Sequence, residues 1–261
     1  MHAVPPNVSI RELLKEAFSK MTTAASYGGQ QEVEPFDSAF MNLLTQSDQP
    51  NPFLLVVGEN YLDEVQQHAY YYSAKLGKRC WYLCLESTPM TCVLSTLSLS
   101  SGIPIEVLQS SRIPPPYFPA FNEGAAELYA ADLTFCLLLS ADIGTIVSLT
   151  KYLKRDKRVE VLFVDALHRV EFEPGRVSNP TEQRWISQVM RAVAHAGELT
   201  VVAGFYRPGV PFPDLAADSV YHCEPTKRKE VVSQGRISQV AASMAATLAS
   251  GWKRLVHLLA L

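Results

Sequence analysis

Residues 53–65 read Phe-Leu-Leu-Val-Val-Gly-Glu-Asn-Tyr-Leu-Asp-Glu-Val. Five consecutive apolar residues, Phe53–Val57, predict a short strand buried on both faces, and Gly58 marks its end. Beyond the turn the period changes, and Leu62–Leu76 predicts a helix closed by Gly77. A fully apolar strand that turns into a helix is the unit of a parallel sheet. The crossover helix is what carries the chain back to start a second strand alongside the first.

The same unit recurs towards the C-terminus. Arg79–Leu85, Thr134–Leu139, Val159–Val164 and Leu199–Ala203 predict further strands, with a sixth at Ser219–Cys223. Residues 88–99, Ile143–Arg155 and Thr181–Ala196 predict helices, and Ile113–Pro119 reads as a proline-rich loop. The class is α/β: a mainly parallel sheet with helices on both faces. Upstream, Ile10, Leu13, Leu14, Ala17, Phe18 and Met21 form one stripe of a helix over residues 8–21, with Ser9 as N-cap and Glu12 three positions on. Such a helix, followed by a polar link over 22–34, must bury its stripe on its own domain or on another chain. Ser238–Leu261, rich in Ala, Ser and Leu, predicts a terminal helix. The organisation is then a helix and connecting segment over 1–34, a core over 35–236 and a helical extension over 237–261.

The 261 residues are 48% hydrophobic and 19% charged, with a formal charge of −3, so nucleic acid could be attracted only by a local patch and not by the overall field. Five cysteines without a C-x-x-C pair predict a reducing, cytoplasmic setting with no disulfide framework and no metal site. The uncharged stretch Ser87–Ile105 is broken by Pro89 and Pro104, which does not suit a membrane span, and the N-terminus has no signal pattern.

Three places carry chemistry. A phosphate-binding loop reads G-x-x-x-x-G-K-[ST] between a strand and a helix. Gly58 takes its first position, but Asp63, Glu64 and Val65 fill the other three. Glycine lets backbone approach phosphate, lysine neutralises it and the hydroxyl holds magnesium. Two acids there oppose a triphosphate, each repulsion at contact being worth about 4 kcal/mol near a protein surface. The other two places are Glu86 and Asp165, each just beyond a strand. Carboxylates at neighbouring strand ends are how a nucleotidase positions its base and its magnesium ligand, although each alone also reads as a turn residue or helix cap. Two basic runs complete the set: Lys151, Lys154, Arg155, Lys157 and Arg158, and Lys227, Arg228 and Lys229. Each reads as a solvated turn or as a contact for nucleic acid or a partner.

Several segments, in order, resemble the C-terminal RecA-like domain of DnaB-type replicative helicases. The helix over 8–21 resembles that family's linker helix, and Glu34–Leu44 its lead-in G-F-x-x-L-D-x-L-L segment. Leu85-Glu86-Ser87 with Met90 resembles S-L-E-M-S, and Leu162–His168 resembles V-V-D-Y-L-Q. Ile186–Ala194 is similar to I-S-x-x-L-K-A-L-A and leads into Val201-Val202-Ala203. The resemblance implies a RecA-like core, with Glu86 in the place of the catalytic base and Asp165 in that of a magnesium-holding aspartate. It also implies a linker-type helix that docks on an adjacent subunit. The chain departs from the family in the phosphate loop and in Phe205-Tyr206, which replaces its S-Q.

The reading that follows is a DnaB-like accessory or regulatory protein of DNA replication that does not hydrolyse ATP and has no cofactor. Its partner would be a replicative helicase, another RecA-fold subunit or a second copy of itself, with weak DNA contact as a further option. Two alternatives stand beside it: a nucleotide-dependent ATPase or helicase using ATP and magnesium through an unorthodox loop, and a non-catalytic ring or complex subunit like those of Elongator or the recombinase paralogues.

Overall fold

In the computed structural model the described residues are 7–22, 51–110, 113–138, 141–173, 175–208 and 215–223. Expectations at Glu34–Leu44, Lys227, Arg228, Lys229 and the C-terminal extension lie outside them, as do the side chains of Phe18 and Met21.

Seven strands form one sheet: β1 (Asn7–Ser9), β2 (Phe53–Val57), β3 (Cys80–Cys84), β4 (Leu133–Leu137), β5 (Val161–Val164), β6 (Thr200–Phe205) and β7 (Ser219–His222). Their order is β1-β4-β3-β5-β6-β2-β7. All pairs are parallel except β1 with β4, where Val8 lies opposite Phe135. The central strands are apolar throughout because both faces are covered. Leu54, Val56, Tyr82, Cys84, Phe135 and Phe163 enter one core, and Phe53, Leu55, Trp81, Leu83, Leu162 and Val164 enter the other.

The first core is closed by α1 (Ile10–Thr22), α2 (Tyr61–Tyr70), α3 (Pro89–Ser101), α4 (Ile105–Gln109) and α5 (Phe118–Ala130). The second is closed by α6 (Ile143–Tyr152) and α7 (Pro180–Gly197). Single π-type turns, Tyr71–Lys75 and Leu153–Lys157, prolong α2 and α6. Strong caps fix two starts. Asn179 and Glu182 form a capping box on α7, and Thr88 accepts from the Thr91 amide at the start of α3.

Of the two places open to the N-terminal stripe, it takes its own domain: Ile10, Leu13, Leu14 and Ala17 are buried in the first core, against α3 and α5. The expected capping pair is present, the Ser9 amide donating to Glu12 at 3.0 Å and the Glu12 amide to the Ser9 hydroxyl at 3.3 Å. Half of that docking surface, α5, was invisible from sequence. No helix was expected over 118–130, where Pro119 and Gly124 intervene. Pro119 sits in the first turn, where its missing N–H costs nothing, and Gly124 brings α5 onto α3, since a Cβ there would lie 2.7 Å from the Ser101 amide nitrogen. All five cysteines are buried with free thiols. Among the described residues no helix is long and apolar enough to cross a membrane.

Candidate functional site

The carboxyl ends of β2, β3, β5 and β6 open on one edge of the sheet, where parallel α/β folds place their ligands. Gly58 ends β2 with φ +131°, and a Cβ on it would lie 2.4 Å from the Cys223 carbonyl oxygen beyond β7. Only Glu59 and Asn60 follow before the helix begins at Tyr61, whose amide donates back to the Gly58 carbonyl at 3.1 Å.

This early start moves the residues aligned with the phosphate loop. Asp63 and Glu64 are not in a loop; they lie on the first turn of α2, where a helix dipole favours acids. Val65 is a core residue. Burial, and then the charge of Asp63, push the Glu64 carboxyl up to about 7, and burial also raises Asp63. The Glu64 Oε2 atom is buried with no hydrogen-bond partner among the described residues.

Tyr61 occupies the crevice. Its ring is buried against Gly204 of β6, where a Cβ would lie 2.3 Å from Tyr61 Cδ2 and 2.4 Å from the Asp165 carbonyl oxygen. Its hydroxyl donates to Glu86 Oε2 at 2.8 Å. The same oxygen lies 3.1 Å from His168 Nε2 and 3.5 Å from Arg169 Nε. Burial pushes Glu86 up, but the Tyr61 hydroxyl, His168 and Arg169 outweigh it and hold the carboxyl below its ordinary value. Burial lowers His168, the nearby Glu86 opposing it only in part. Around them Tyr61 meets His168 edge-on at 5.8 Å, His168 meets Phe205 at 5.7 Å, and the Tyr206 hydroxyl donates to Glu59 Oε1 at 3.0 Å.

Asp165 is fully buried and committed to the turn after β3. Its carboxylate accepts from the amides of Leu85 at 2.7 Å, Glu86 at 3.2 Å and Ser87 at 2.9 Å, and from the Ser87 hydroxyl. Burial raises its carboxyl, with Ser87 and these amides offsetting part of the effect. Glu86 and Asp165 are thus brought together as expected from their order. One is tied to Tyr61, His168 and Arg169, the other to backbone. Among the described residues no three His, Cys, Asp or Glu side chains cluster as metal ligands.

The run Lys151 to Arg158 lies at the opposite edge, between the end of α6 and the start of β5. There Lys154 Nζ donates to the Glu198 carbonyl at 2.8 Å, Arg155 pairs with Asp156 at 2.8 Å and Lys157 lies 5.9 Å from the Tyr152 ring centre. Arg158 takes the left-handed conformation that caps the helix end, and Lys151 is exposed. The structure does not bring these cations to the crevice. Sequence reasoning missed Tyr61, His168, Arg169 and Gly204. Gly204 directly follows the apolar run Leu199–Ala203, so from sequence it marks only the end of that strand.

No protein-family model and no curated protein sequence matches this chain. Solved structures do. A DnaB-like replicative helicase, described with its interactions with primase, is similar with a TM-score of 0.56 and 13% identity over 74% of this chain and 48% of that one. A second solved structure, an ATPase domain on its own, is similar with a TM-score of 0.56 and 15% identity over 76% of this chain and 70% of that one. The match spans about half of the helicase chain's length. Sheet order, covering helices and this similarity give one conclusion: the chain has the RecA-like α/β fold of replicative-helicase ATPase domains.

Proposed function

We propose that this is a RecA-fold protein of DNA replication that works by binding rather than by hydrolysing ATP, an accessory or regulatory partner of a replicative helicase or of another RecA-fold subunit in the cytoplasm. The observation that carries this reading is the Tyr61 hydroxyl on Glu86. The carboxylate in the place of the catalytic base is engaged by a side chain whose ring fills the crevice. The short turn after Gly58 supports it, since it holds no lysine and no loop of backbone amides to cradle phosphate. The similarity to helicase structures, one of them described with primase, supports the choice of process and of partner class.

A thermal-shift titration with ATP and magnesium tests the first half. The expected result is an unchanged melting temperature up to roughly millimolar ATP, because ligand stabilisation grows with the ratio of concentration to Kd. Stabilisation at lower ATP would favour the second reading, a nucleotide-using enzyme, whose support is the juxtaposition of Glu86 and Asp165 at adjacent strand ends. Mixing the chain with the replicative helicase of its host and measuring complex size tests the second half. No shared species at micromolar concentrations would remove the helicase as partner.

A further inference from the structure

Helix α7 carries two apolar faces. Ile186, Met190 and Ala194, spaced by four, are buried against the sheet. At about 100° per residue, Trp185, Val189, Ala192 and Ala196 form a second stripe pointing well away from the first. Trp185 is 57% exposed, Ala192 and Ala196 are exposed, and Val189 is half-buried. The fold does not need this stripe, because the first one already closes the second core. Exposed apolar surface continues at its N-terminal end. Val177 is 70% and Phe172 42% exposed, on a loop held to the first turn of α7 by the Arg176–Glu182 ion pair.

We infer that α7 is a self-association surface, pairing antiparallel with α7 of a second copy across a two-fold axis. The argument is the spacing. Residues 185, 189, 192 and 196 follow the 4-3-4 rhythm of a coiled-coil seam. In an antiparallel pair centred midway between Met190 and Arg191, Trp185 faces Ala196 of the second copy and Val189 faces Ala192. Each large side chain meets a small one, so a single surface complements itself, as a two-fold interface requires. Charge does not oppose the approach. On the neighbouring face Arg191 and His195 are held by Asp218 at 2.8 and 2.7 Å, and Arg184 lies between them around the helix, away from the stripe. Gln188 is uncharged, and on the other flank Glu182 is paired with Arg176. The stripe with Phe172 and Val177 offers roughly 500 Å² of apolar surface per copy, against about 800 Å² per partner in a standard interface. With its polar margins it suits a dimer dissociating on the order of micromolar.

Sedimentation velocity of the full chain from about 1 to 100 µM reads this directly. Dimer is expected to grow in with concentration. Trp185→Ala opens two cavities and Ala196→Trp sets tryptophan against tryptophan, so each weakens the dimer at least about tenfold. The double variant Trp185→Ala/Ala196→Trp restores affinity to within about threefold, because large and small simply exchange sides. Both positions are exposed, so far-UV circular dichroism and melting temperature confirm that every variant stays folded. A chain that remains monomeric across the range overturns the inference. So does a dimer indifferent to Trp185→Ala, or a folded double variant that fails to recover; either would assign the stripe to another occupant.

Discussion

If Tyr61 fills the crevice because residue 204 has no side chain, then adding one methyl group at 204 must be felt. In Gly204→Ala the new Cβ would stand 2.3 Å from the tyrosine ring and 2.4 Å from the Asp165 carbonyl oxygen. The ring can yield a little, whereas the carbonyl belongs to backbone between β5 and the following turn. Overpacking of this kind costs about 1–3 kcal/mol, and here it falls at the upper end because one of the two obstacles cannot rotate away. Alanine regains up to about 1 kcal/mol by restricting the unfolded chain, leaving a net loss of about 2 kcal/mol. In a domain of this size that lowers Tm by about 4–8 °C.

The informative measurement is the cycle with Tyr61→Ala in urea, read at constant m-value. Tyr61→Ala alone removes a buried ring and leaves Glu86 without its hydroxyl partner, a loss of about 3–5 kcal/mol. In the double variant the 204 methyl group enters the space the ring vacated, so the two losses overlap by about 1–2 kcal/mol. Only the contact with the Asp165 carbonyl then remains. Losses that add within about 0.5 kcal/mol, or a Gly204→Ala variant as stable as the parent, would refute the claim that this ring occupies this crevice.

Two further outcomes follow from the packing. Leu14→Ala, on the stripe that closes the first core, should destabilise the domain by about 2–4 kcal/mol and leave the dimer constant unchanged, as chemical denaturation and sedimentation together would show. Glu64→Gln should raise stability at pH 8 by about 2 kcal/mol and have no effect below about pH 4.5. Its folded carboxyl is pushed from 4.5 up to about 7, so the folded state binds the proton more tightly. The resulting stabilisation is fully present below the unfolded value and is lost as pH rises through 7. Taking the difference between variant and parent cancels His68, which burial pushes down to about 3 and which loses stability in the opposite direction as pH falls from 6.5. A difference that does not change with pH would refute the assignment to Glu64.

The sheet was legible where both of its faces are buried. Phe53–Val57 matches residue for residue, because a fully apolar run bounded by proline and glycine leaves one interpretation. The last turns of β6 were not legible. Gly204 reads as a strand end when taken alone, and its reason for being there, the ring of Tyr61, comes from a helix 143 positions earlier. The pairing of Glu86 with Asp165 followed from their order along parallel strands. Their engagement did not, since neither the tyrosine opening a helix nor His168 in its short 3-10 turn carries a local signal. The acids aligned with the phosphate loop were placed by motif length, which assumes a loop. The helix starts at Tyr61 instead, and the same residues lie on its first turn, where burial raises both carboxyls.

That early start links the fold to the proposed loss of chemistry. A long phosphate loop keeps the carboxyl edge of β2 open and lines it with amides that need an anion. Here three residues span the turn, the Tyr61 amide is satisfied by Gly58, and an aromatic ring takes the volume next to β6. Asp165 gives both oxygens to the β3–α3 turn, and Glu86 anchors the ring that fills the space. Both carboxylates are thus committed to holding the filled crevice and the turn beside it. Reopening the crevice would therefore require unmaking contacts on α2, β6 and the β3–α3 turn together, and no single substitution in the Gly58 turn can do that.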